Sequence, residues 1–112
     1  MPKFLIQGSY SPEGLKALVK DKASGRKAAV TQGLESVGGK LEAIYYALGE
    51  DDVYVLCDCP DHVTAAALSF AASSSGLVRT KTTMLMTVEE TDRAIAMGVS
   101  YRAPGAGEAA KA

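Results

Sequence analysis

Short alternating stretches and capped, helix-like stretches follow one another along this chain in an order that predicts its architecture. Residues 3–10, KFLIQGSY, alternate as a strand does, with Phe4, Ile6, Gly8 and Tyr10 on one face and Lys3, Leu5, Gln7 and Ser9 on the other. Ser11-Pro12-Glu13 then reads as a helix start: a serine cap, a proline in the first turn where no N–H is needed, and a carboxylate at the positive end of the dipole. Leu15, Leu18 and Val19 give this helix its apolar stripe. Ser24-Gly25 predicts a break near residues 21–25. A second helical piece over 26–37 sets Val30, Leu34 and Val37 on one side, and Gly38-Gly39 ends it with a left-handed cap.

Residues 38–59 form the centre of the pattern. Two runs rich in β-branched and aromatic residues flank Gly49-Glu50-Asp51-Asp52, which predicts a hairpin. In the second run Val53, Val55, Cys57 and Cys59 form a uniformly apolar set that should face the helices, while Asp52, Tyr54, Leu56 and Asp58 face outward. In the first run Lys40, Glu42, Ile44, Tyr46 and Leu48 are the more polar set and are assigned to the same outer face. Pro60 stops the strand and Asp61 caps a helix over 62–74, with Val63, Ala66, Ala67, Phe70 and Ala71 as its buried stripe. A strand over 77–86 follows. Thr87-Val88-Glu89-Glu90 is a capping box that opens a short helix, which Gly98 can close. One domain over 1–101 and a small, polar, flexible tail over 102–112 complete the reading.

The predicted order is strand, helix, strand, strand, helix, strand. This is the α+β ferredoxin-like split βαβ (βαββαβ), a four-stranded antiparallel sheet with both main helices on one face. The other face would carry Leu5, Ile44, Leu48, Leu56, Leu85 and the tyrosines Tyr46 and Tyr54. Burying ~400 Å2 of such surface is worth roughly 10 kcal/mol before association costs, so sheet-to-sheet pairing of two copies is expected.

Composition narrows the functional classes. A net charge of −1 provides no global field for nucleic acid or anionic membrane. VYVLCDC lacks the aromatic and basic pattern of RNA-binding sheets. The apolar run of MPKFLIQGSY is too short for a secretion signal, and no stretch has the ~20 apolar residues of a spanning helix, so a cytoplasmic protein is expected. Cys57 and Cys59 share a strand face, where adjacent positions bridge poorly, and they read as buried, reduced thiols.

Chains with the opening KFLIQGSYSPEG, the central LESVGGKLEAIYYALGEDDVYVLCDCPD and a final GLVRTKTT before a short helix resemble the GYD-domain family, a group of small bacterial proteins. In the signature glycine–tyrosine–aspartate, Gly49 and Asp52 match, and Asp51 stands where tyrosine is usual. The resemblance implies a ferredoxin-like domain that associates as a dimeric α/β barrel. It brings no established reaction, catalytic residue or cofactor.

Several constellations invite chemistry. Cys57, Cys59 and His62 have the spacing of three zinc ligands, yet the fourth is missing and no metal is assigned. The carboxylates of Glu50, Asp51 and Asp52 suit weak cation binding or paired acid–base work, but also a solvated turn in which Asp52 binds nearby amides, which is the favoured reading. Arg79 and Lys81 alternate on the last strand and suit an anionic group. The leading expectation is a homo-oligomer enclosing a small-molecule pocket between open faces, with Gln7, Ser9, Tyr46, Tyr54, Arg79 and Lys81 as its polar residues. By analogy of fold alone, a cofactor-free monooxygenase or isomerase is the alternative, with Asp58 or His62 as base. A structural assembly subunit with a dry, filled face is the third.

Overall fold

The computed structural model describes residues 1–105, 107, 110 and 111. The predicted elements are present in the predicted order: β1 (Lys3–Tyr10), α1 (Pro12–Ser36), β2 (Lys40–Tyr46), β3 (Val53–Asp58), α2 (His62–Ser73), β4 (Val78–Leu85) and α3 (Val88–Ala96). The sheet order is β2-β3-β1-β4, antiparallel throughout, which is the ferredoxin-like arrangement. Two further short strands, β5 (Ser100–Tyr101) and β6 (Ala110–Lys111), pair with each other. The expected flexible tail falls partly on residues 106, 108, 109 and 112, outside the described residues.

Local chemistry sets the boundaries. Ser11 accepts from the Gly14 amide, and Pro12 occupies the first turn of α1. Gly38, at φ 80°, closes that helix in the left-handed region, with its amide bonded to the Glu35 carbonyl. Reciprocal capping boxes open α2 (Asp61 and Thr64) and α3 (Thr87 and Glu90). The expected break in α1 falls within residues 21–25, at Lys22 (φ 65°, ψ 163°).

The core comprises Phe4 and Ile6 of β1, Val53, Val55 and Cys57 of β3, Cys59 beyond it, Leu34 of α1 and Ala65 of α2. Three assignments of faces need correcting. First, β2 carries a bulge between Leu41 and Ala43. The extra residue inverts the alternation, so Ile44 and Tyr46 stand across from Val55 and Val53 and pack against the core. Tyr45 takes the outer face instead, and Leu48 lies fully exposed in the following loop.

Second, α2 buries Ala65 and packs Leu68 against the core, whereas Val63 and Phe70 are 64% and 75% exposed. Its orientation is set by hydroxyl pairs to β4, Ser69 with Thr82 (2.5 Å) and Ser73 with Thr80 (2.8 Å). Third, in the first half of α1 Gly14, not Leu15 or Val19, is buried. A Cβ there would lie 2.0 Å from the Leu77 carbonyl oxygen, the same oxygen that accepts from the Ser11 amide at 2.9 Å. Glycine lets the helix start meet that backbone.

Candidate functional site

Two places gather polar side chains, and they lie on opposite faces of the sheet. On the open face the hairpin loop turns Asp51 inward until it is only 5% exposed. Its carboxylate accepts from Ser9 Oγ (2.9 Å) and Gln7 Nε2 (3.0 Å), and pairs with Lys81 Nζ at 2.9 Å. The Lys81 ammonium is the main reason that the carboxyl is held below its usual range, with the Ser9 hydrogen bond next. Lys81 is raised in return by Asp51. Asp52 binds the Tyr10 amide through its carboxylate (2.8 Å) and donates its own amide to the Gly8 carbonyl. The turn is therefore docked onto the end of β1. Asp52 plays the amide-binding role expected of it, while Asp51 is a buried anchor rather than a solvated acid.

Of the expected site residues, Gln7, Ser9 and Lys81 thus meet around Asp51, with exposed Arg79 across from Ser9. Tyr54 shares this face in the same row, directly across from Gln7 on one side and from Tyr45 on the other. At the far end Lys3 bridges Asp58 (2.9 Å) and Glu42 (3.0 Å). Tyr46 does not join them. The bulge in β2 sends it through to the helix side.

There Tyr46 lines a cleft of about 270 Å3 between the sheet and both main helices, walled by Ile6, Val53, Val55, Val30 and Leu68. Tyr10, Arg26 and Thr80 are its other polar neighbours. A second hollow of about 250 Å3 continues toward Leu18 and Asp21 and shares Tyr10 and Arg26 with the first. The Tyr46 hydroxyl is buried and lacks a hydrogen bond of normal geometry, although the Tyr10 side chain lies close enough to act on it. Burial, then the adjacent Tyr10, pushes its pKa up to about 12, so it stands in the cleft as a neutral O–H. Arg26 partly opposes that rise, and its guanidinium reaches Asp21 at 3.7 Å across the break in α1.

A family model described as the GYD domain matches residues 4–95. The chain belongs to the GYD-domain family. No curated protein and no solved structure matches it. The observed work of Asp52 is architectural: it docks the loop that carries Asp51 onto the end of β1.

Elsewhere Cys57 and Cys59 are fully buried free thiols. Burial, with Cys59 beside it, pushes Cys57 up to about 12, so it is a poor nucleophile. His62 is exposed at the start of α2. Among the described residues no three His, Cys, Asp or Glu side chains converge on a point where a metal could sit. None of the described helices is long and apolar enough to cross a membrane.

Tyr10 and Arg26 are the cleft residues that the sequence reading passed over. Arg26 precedes Val30 and Leu34 at intervals of one helical turn, so it continues the buried side of α1. An arginine in that row was the available signal.

Proposed function

We propose that this GYD domain binds a small, mostly apolar molecule with one hydrogen-bond acceptor in the cleft between the sheet and the helices. The buried Tyr46 hydroxyl carries this reading: it has only a long approach from Tyr10 and no hydrogen bond of normal geometry, and a desolvated O–H is costly unless something binds it. The walls are apolar, and a space of about 270 Å3 admits roughly ten to fifteen non-hydrogen atoms. Arg26 in the lining favours an electron-rich or anionic end on the ligand.

The arrangement supports binding over base catalysis. Asp58, one of the expected bases, is spent on Lys3 at the other face, and His62 lies outside the cleft lining. The residues walling the inner cleft include no carboxylate or histidine, and Tyr46 is too weak an acid to serve as a base near neutrality.

A matched pair of probes tests the reading. 2-Naphthol and naphthalene differ by one hydroxyl and both suit the cleft in size. The wild type should bind naphthol about fivefold more tightly, the value of one net hydrogen bond. Tyr46→Phe should abolish that preference while keeping naphthalene binding. Equal binding of both probes by the wild type would refute the Tyr46 hydrogen bond, and a preference lost with Arg79→Ala and kept in Tyr46→Phe would move the site to the open face.

A further inference from the structure

We propose that α3 and the stretch after it as far as Tyr101 form an arm that crosses to a second copy of this chain, seating its apolar stripe in the groove between α2 and β4 of that copy. None of the nine residues of α3 is buried. Val88 and Ile95, seven positions apart, share one side of the helix, with Glu90 and Arg93 opposite. Val88, Ile95, Met97, Val99 and Tyr101 are all more than half exposed. A helix of nine residues is not stable in water by itself, so its capping box and one-sided pattern anticipate a packing partner.

The body of the molecule offers the matching surface. A groove of about 440 Å3 runs between α2 and the edge strand β4, floored by Phe4, Ala66, Phe70 and Met84. Phe70 and Met84 are 75% and 62% exposed there, and the groove contains no carboxylate, lysine or arginine. A trough whose one ionisable lining residue is His62, and an unpartnered apolar helix face, are thus present in one chain.

The chain's own arm does not fill the groove. It leaves from Leu85 through Met86-Thr87 and runs away from the body, giving a longest dimension of 59 Å and a radius of gyration of 18.0 Å. A compact chain of this length has a radius near 13 Å, by the usual scaling of ~2.2·N^0.38. Exchange about a two-fold axis satisfies both surfaces at once, since each copy gives one arm and receives one. With on the order of 500 Å2 per arm and as much per groove, the exchange reaches the ~1,600 Å2 of a standard stable interface.

The test uses the full chain and sites that are exposed in a single copy, so that the fold survives substitution. Light scattering after gel filtration should give twice 11.6 kDa for the wild type. Both the arm variant Ile95→Asp/Met97→Asp and the groove variant Phe70→Asp should halve that mass, whereas Tyr45→Asp on the open face should not. An Ile95→Cys chain mixed with a Phe70→Cys chain should form a mixed disulfide on oxidation. A monomeric wild type overturns the proposal. So does a dimer lost with Tyr45→Asp but kept by the arm variant, or a cross-link found only within a chain carrying both cysteines.

Discussion

Tyr46→Phe removes a single oxygen, one that the fold buries without a hydrogen bond of normal geometry. In an empty cleft that oxygen is a liability. An unpaired buried hydroxyl costs ~1–3 kcal/mol, and the low end applies here because the adjoining space of about 270 Å3 can hold water. The phenylalanine ring keeps the contacts with Val53 and the core, so little else is lost. The variant should gain about 1 kcal/mol, which for a domain of this size raises Tm by roughly 4 °C. Urea unfolding and calorimetry at pH 7 without ligand measure this directly. The pH dependence gives a second readout. The folded-state pKa of Tyr46 is raised from 10.0 to about 12, so the folded protein holds that proton more tightly than the unfolded chain does. The associated stability is complete below pH 10 and is lost as pH rises toward 12. Cys57 titrates across a similar range, so Tyr46→Phe should remove a share of the alkaline loss and leave the remainder. If Tyr46→Phe loses 1 kcal/mol or more at pH 7, the hydroxyl is bonded in the free protein and the argument for a ligand there fails.

Other perturbations have equally definite outcomes. Gly14→Ala forces a Cβ to within 2.0 Å of the Leu77 carbonyl oxygen and should cost about 3 kcal/mol in urea unfolding; a cost below 1 kcal/mol would mean that the helix start can back away. Lys22→Gly relieves a lysine held at φ 65°, ψ 163°, and should stabilise by about 1 kcal/mol net of the flexibility that glycine adds to the unfolded chain. The depressed Asp51 carboxyl contributes stability above its ordinary value of 3.8, lost as pH falls below that through the folded-state value. Asp51→Asn should therefore flatten the acid limb of a Tm-against-pH curve, and an unchanged limb would show that the Lys81 pair does not contribute. Cys57 and Cys59 should react with a thiol reagent only at the rate of unfolding.

The fold was legible because its boundaries are chemical. The Ser11-Pro12 start, the Gly38 stop and the Thr87–Glu90 box each specify a backbone geometry through adjacent residues alone. The faces were less legible, for two physical reasons. In α2 alanines surround the helix, so no polar side marks which way it turns; its orientation comes from Ser69 and Ser73 meeting threonines on a strand several residues later. In β2 alternation holds until a bulge that no residue type announces, and the run Ala43-Ile44-Tyr45-Tyr46 is apolar in either phase. The site followed the same division. Gln7, Ser9 and Lys81 were placed together by strand register, whereas Tyr46 was assigned to the wrong side through one uncounted residue.

That bulge makes β2 two strands of opposite phase joined end to end. The half before it commits Leu41 to the core beside Cys57; the half after it commits Tyr46 to the cleft. A deletion at Glu42 would remove the bulge and leave both halves in their present phase, with Leu41 still across from Cys57 and Tyr46 still across from Val53. Loss of this one residue should accordingly spare both the core and the cleft.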